Sequence, residues 1–151
     1  MKNKKIIYYE NWRRGFSLVE ALASFFVLGI ILSLASTSFL NLAPKYKLIS
    51  AVREINSRLN YARYKSIFEG VKVRIKFDQH SYAIEIYDEE QNEWKRERQY
   101  FLRGVTLKAN NSPTFHPAGT VSNLASIYIS NSWGKHKITL AISGRIKIVK
   151  L

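Results

Sequence analysis

Three stretches of the chain differ in how apolar and polar residues are spaced. From Ala21 to Ala43 no side chain is charged, and these 23 residues lie within the run FSLVEALASFFVLGIILSLASTSFLNLA. At the rise of an α-helix they reach about 34 Å, enough to cross a hydrocarbon core of about 30 Å. Beyond Pro44 and Lys45 the apolar residues Leu48, Val52, Ile55, Leu59 and Ala62 recur at steps of four, three, four and three, the stripe of an amphipathic helix. Lys47, Arg53, Arg58, Arg63 and Lys65 fall mostly off that stripe and are expected to face solvent or a partner, with Tyr61 and Tyr64 packed at its edge. Glu69-Gly70 is a natural stop. The pattern predicts one helix over about 17–69, its first half in a membrane and its second half on a head domain.

The period then drops to two. Val71, Val73, Ile75 and Phe77 alternate with Lys72, Arg74 and Lys76, and after the turn Asp78-Gln79-His80-Ser81 a second strand over 82–87 completes a hairpin. Further strands are expected near 94–101, 105–109, 125–131, 137–142 and 146–149, with a loop over 110–123. The acidic stretch Asp88-Glu89-Glu90-Gln91-Asn92-Glu93 lacks the spacing and the glycine of a calcium loop and reads as a solvated hairpin tip. In the last hairpin Ile138, Leu140, Ile142, Ile146 and Ile148 must share a face. That parity favours a three-residue loop, Ser143-Gly144-Arg145, with Arg145 exposed.

Charge sets the orientation of this arrangement. Residues 1–15, MKNKKIIYYENWRRG, hold five basic residues against Glu10, 5 − 1 = +4, and such a segment stays cytoplasmic. An export signal places its apolar run before the cleavage site and loses it; here the basic segment ends in Gly15 and the apolar run follows. A cut after Gly15 removes the charges and keeps the anchor. It also leaves a free amine on Phe16, one helical turn from Glu20. A lone Glu at that depth is ordinarily an interfacial, snorkelling acid, but an adjacent ammonium and the positive end of the helix give this carboxylate partners. In a neighbouring chain the same amine would be available to it during assembly.

The stretch R-R-G-F-S-L-V-E and the apolar run after it resemble the class III signal of type IV pilins and type II secretion pseudopilins. The resemblance implies that a prepilin peptidase cuts between Gly15 and Phe16 and methylates the Phe16 amine, and that Glu20 helps dock the subunit among other pilins in a filament. Many pilins carry a proline late in the apolar half, whereas this chain has Pro44, after the span. F-H-P-A-G at 115–119 and S-G-R-I-K at 143–147, flanking a run of strands, are similar to the GspH/FimT family of minor pilins and pseudopilins. That resemblance implies an α+β head of two small antiparallel sheets packed on the helix, assembly near a filament tip and, in some members, DNA binding by basic residues near the C-terminal strands. The expected organisation is a leader over 1–15, a transmembrane helix over 16–43 and a periplasmic head over 44–151, in which 44–69 is helical and 71–151 is strand-rich. The chain is thus expected to cross the bacterial inner membrane once, in contact with its lipid.

The 151 residues allow one small domain besides the anchor, and with no cysteine neither a disulfide framework nor thiolate chemistry can be built. The net charge is +13, and no Asp or Glu follows Glu97. Lys135, Lys137, Arg145, Lys147 and Lys150, with Trp133 available for stacking, are the ingredients of a DNA-binding patch; the plainer reading is a solvated cationic face or one against acidic lipid. The resembling family favours further arginines at the C-terminal end, where this chain has lysines. His80, His116 and His136 stand in turn or loop contexts without ligand spacing, so no metal is expected. No phosphate-cradling glycine loop, nucleophile elbow or paired-carboxylate signature in an apolar pocket is present, so neither a cofactor nor an enzymatic activity is expected.

Overall fold

A computed structural model describes residues 17–151, except the side chains of 35–41. Helix α1 spans Leu18–Glu69. It is followed by β1 (Val73–Phe77), β2 (Ser81–Asp88), β3 (Glu93–Phe101), β4 (Thr106–Ala109), β5 (Thr114–Phe115), β6 (Val121–Ser122), β7 (Ser126–Asn131), β8 (Gly134–Leu140) and β9 (Ile146–Lys150). The chain forms two compact units, one ending at Phe39 and a head from Leu40 to Leu151.

In the first unit Leu18, Leu22, Phe25, Phe26, Ile31 and Leu34 are all exposed. Among the described residues no helix is long and apolar enough to cross a membrane; the apolar side chains described there end at Leu34. The helix does not stop at Pro44, which lies inside α1 although its nitrogen has no hydrogen to donate.

In the head, the stripe predicted from spacing is the buried one: Leu48, Val52, Ile55, Leu59 and Ala62 are all in the core. Gly70 closes the helix at φ 70°, a left-handed conformation that other residues adopt at a cost, and the Ser66 hydroxyl donates to the Val71 carbonyl at 2.8 Å. Two antiparallel sheets supply the rest of a single core. One runs in the order β3-β2-β1-β5-β6, the other β4-β7-β8-β9. Val73, Ile75, Tyr82, Ile84 and Phe115 of the first join Leu107, Ile127, Ile129, Ile138 and Leu140 of the second around the stripe.

Polar contacts fix α1 to the first sheet. The Tyr82 hydroxyl donates to Glu54 Oε1 at 2.6 Å and its ring stacks on Tyr100 at 5.0 Å. Burial, reinforced by the Glu54 carboxylate, pushes the Tyr82 phenol well above its ordinary value. Arg58 lies 4.1 Å over the Tyr100 ring. Lys65 reaches Glu97 at 2.9 Å and Glu69 at 3.0 Å; the bond to Glu97 chiefly, and that to Glu69, hold its ammonium above the usual lysine range. Glu97 is available because the pairing of β2 with β3 slips there. Ile84 faces Arg98 and Glu85 faces Arg96, which leaves Glu97 as the extra residue of a bulge.

Three expectations need correction. The segment 110–123 is not all loop: Thr114 pairs with Ser122 and Phe115 with Val121, and β5 also pairs with β1. A two-residue strand is too short to show a period, and the buried Phe115 is what anchors it. The last hairpin keeps the predicted parity but pairs Ile138 with Ile148 and Leu140 with Ile146, so the partner of Ile146 is two residues earlier than predicted, the turn spans 141–145 and Ile142 stands exposed within it. Tyr64 is not packed at an edge: 70% exposed, beside Phe68 at 93%, it faces outward along α1, while Tyr61 is more than half covered.

Candidate functional site

Gly15 and Phe16, the expected processing residues, lie outside the described residues. Glu20 is exposed in the first turn of α1, where a carboxylate complements the helix dipole. A shallow groove of about 430 Å³ runs from it along one helical face, lined by Glu20, Ala23, Ser24, Val27, Leu28 and Ile31. The small side chains at 23 and 24, one turn below the acid, leave room for another helix to approach closely.

The six residues of the expected basic patch fall into two groups, because a strand sends alternate side chains to opposite faces. On β8 the buried Ile138 and Leu140 define the inner face, so Lys135 and Lys137 point outward. Lys147, opposite Thr139 on β9, is outward too. Two residues not anticipated from the sequence complete this outer face. Tyr128 pairs with Lys137 on one side and Lys108 on the other, and the ammonium groups of Lys135 and Lys137 lie 4.7 and 5.5 Å from its ring centre. Exposed Arg145 stands at the end of the last turn. Among the described residues no carboxylate lies within ion-pair distance of any of these cations; the ion pairs all fall between residues 65 and 97.

Trp133 and Lys150 form the second group. Trp133 occupies the β7–β8 turn with the Lys150 ammonium 4.7 Å and the Lys45 ammonium 5.5 Å from its ring centre. Lys150 pairs with His136 and so belongs to the opposite face of the pleat from Lys147. Lys45, from α1, could not be linked to this tryptophan by sequence spacing.

The two short motifs converge on Arg63. Gly119 and Gly144 both have positive φ, 78° and 77°, and the Val121 N–H donates to the Ile142 carbonyl at 2.8 Å, joining their turns. A Cβ on Gly144 would lie 2.7 Å from Arg63 Nε, and one on Gly119 would lie 3.4 Å from Ile67. Arg63 therefore packs under both glycine turns instead of facing solvent, and its Nε is buried without a hydrogen-bond partner. Arg58 and Lys65 likewise turn to β3 instead of solvent. The two glycines of this motif pair are thus packing positions.

Among the described residues no group of three His, Asp or Glu could hold a metal. His80 Nδ1 lies 3.1 Å from the Val105 carbonyl and His116 Nε2 2.7 Å from the Ser122 hydroxyl, both structural contacts. At the β2–β3 tip, Asp88 is held below the usual carboxylate range by Lys95 and by the N–H groups of the turn.

The family model described as the prokaryotic N-terminal methylation motif matches residues 13–36. No curated protein matches the chain. Among solved structures, the minor pseudopilin EpsH from the type 2 secretion system of Vibrio cholerae aligns with a TM-score of 0.59 at 12% identity, covering 69% of this chain and 97% of that one. A second structure of EpsH gives a TM-score of 0.60 at 12% identity, over 70% and 94%. The type IV minor pilin FimU of Pseudomonas aeruginosa (strain PAO1) gives 0.58 at 20% identity, over 70% and 90%. The chain is thus similar in fold to a minor pseudopilin and a type IV minor pilin, and its N-terminal residues match the methylation motif.

Proposed function

We propose that the chain is a minor pilin or pseudopilin of the GspH/FimT kind, which helps initiate or cap a type II secretion pseudopilus or a type IV pilus. The observation that carries this reading is the methylation motif over 13–36 on a chain whose head has the fold of minor pseudopilins. In it a prepilin peptidase cuts between Gly15 and Phe16 and methylates the Phe16 amine. Residues 16–43 form the single inner-membrane span, with the leader cytoplasmic and the head periplasmic. Glu20 then receives the Phe16 amine of a neighbouring subunit, and the groove below it seats that neighbour's helix. A carboxylate at mid-membrane depth costs about 2.5–3.5 kcal/mol, less near the interface, and the amine removes most of that penalty. The experiment is Glu20→Leu in the native host. Processed, inserted protein that no longer enters filaments is expected, and normal filaments would refute the assembly role. Mass spectrometry showing an intact leader, or a cut beyond the apolar run, would refute the reading as a whole.

A second reading is favoured by the outer face of the β4-β7-β8-β9 sheet. Lys108, Lys135 and Lys137 surround Tyr128, Lys147 and Arg145 extend the row, and among the described residues no carboxylate lies within ion-pair distance of these cations. Cations that release counterions around an aromatic able to stack are what a DNA-capturing subunit needs. A salt-dependent gel shift on the head, residues 44–151, tests it, and the absence of retardation at low salt ends the proposal.

A further inference from the structure

We propose that Trp133 and the lysines around it form a docking site for anionic phospholipid headgroups, distinct from the cationic outer face of the sheet and resting on the reading of residues 16–43 as a membrane segment. Trp133 is 37% exposed and is bracketed by the ammonium groups of Lys45 and Lys150. Asn131 fixes the turn that carries it. Its Nδ2 donates to the Pro44 carbonyl at 2.7 Å and the Gly104 carbonyl at 3.4 Å, and its Oδ1 accepts the Trp133 N–H at 2.9 Å. The tryptophan is thereby tied to the residue just before Lys45. Lys47 lays its aliphatic stem against Gly104, beside exposed Arg103, and Leu42 and Tyr46 are exposed one turn apart on α1.

Position and composition together identify the occupant. The uncharged run ends at Ala43 and Lys45 is two residues beyond it, so the cluster begins where a spanning helix leaves the hydrocarbon. Tryptophan, tyrosine and leucine interleaved with long-stemmed cations form the belt that settles at a bilayer interface, with rings among the headgroups and ammoniums on the phosphates. Among the described residues Lys45, Lys47, Arg103 and Lys150 have no carboxylate within ion-pair distance, so their charge is left for an external anion.

The experiment uses the full chain in lipid nanodiscs with Trp12→Phe and Trp94→Phe, leaving Trp133 as the single tryptophan. Discs of phosphatidylcholine contain either brominated phosphatidylglycerol or equally brominated phosphatidylcholine. Strong quenching by the brominated anionic lipid alone, relieved by salt, is expected, and each lysine removed in Lys45→Gln and Lys150→Gln lowers the docked-to-undocked ratio about five-fold. Should Trp94→Phe unfold the head, Ser132→Cys, the single thiol of the chain, carries a polarity-sensitive fluorophore and repeats the measurement. Recovery with the discs reads the anchor separately. A chain that is not recovered overturns the membrane segment and this proposal with it; a recovered chain with unquenched Trp133 overturns docking alone. Quenching unchanged by the lysine substitutions, or the same emission change from inorganic phosphate or duplex DNA without anionic lipid, also overturns it.

Discussion

Replacing Gly144 with alanine tests whether the glycine turns are set by Arg63. Two independent penalties apply. At φ 77° an L-residue is strained by about 1–2 kcal/mol. The new Cβ would also stand 2.7 Å from Arg63 Nε, 2.8 Å from Cζ and 3.0 Å from Cδ, so the guanidinium must withdraw from a place where its Nε is already buried. Overpacking of this kind costs about 1–3 kcal/mol, and because an arginine can swing aside the lower end applies. The sum is about 2–3 kcal/mol, a shift in midpoint of roughly 8–18 °C for a domain of this size. Urea or thermal unfolding of the head measures it, and Arg63→Ala supplies the control. In the double variant only the backbone strain remains, so the cycle should return a coupling of about 1 kcal/mol. A single-variant loss below 1 kcal/mol, or additivity between the two sites, would refute the packing account.

The Tyr82 phenol ionises above its ordinary value of 10 in the folded head, so its contribution is complete below pH 10 and is lost as pH rises toward the folded value. Denaturation followed from pH 8 upward should therefore show an alkaline decline that Tyr82→Phe flattens. Glu97→Gln removes the bulge residue's charge from Lys65 and should lower stability by about 1 kcal/mol or less, with the loss diminishing in high salt, as equilibrium unfolding would register. Lys137→Glu places a carboxylate beside Tyr128 and should abolish retardation of duplex DNA by the head, whereas Lys150→Glu, on the other side of the pleat, should leave most of it; equal losses in a gel shift would contradict the two-group division.

Periodicity carried the fold further than it carried the site. The stripe from Leu48 to Ala62 and the alternation from Val71 to Phe77 were legible because burial repeats along a regular element. Parity in the last hairpin was legible too, but a slip of two residues leaves parity unchanged, and the contacts that accompany the observed turn, Gly144 against Arg63 and Val121 N–H to the Ile142 carbonyl, are long-range. Of the basic residues, Lys150 shares the parity of Ile146 and Ile148, so its separation from Lys147 was already written in the strand. Lys45 beside Trp133, Lys108 beside Tyr128 and Glu97 beside Lys65 are long-range meetings that need strand order and a bulge, neither of which local spacing encodes. Phe115 was hidden for a different reason: two paired residues have no period.

The margins of the two sheets have a consequence for how this head can polymerise. β3 carries Glu93, Lys95, Arg96, Glu97 and Arg98 and is bent by its bulge, β9 carries Lys147 and Lys150, β6 has two residues, and the four residues of β4 include Lys108. Such rims resist the addition of a strand from another molecule, through charge, brevity or curvature. Growth by backbone ladders, the route to amyloid-like stacking, is thereby closed to the head, and ordered association is left to side-chain surfaces and to the helix.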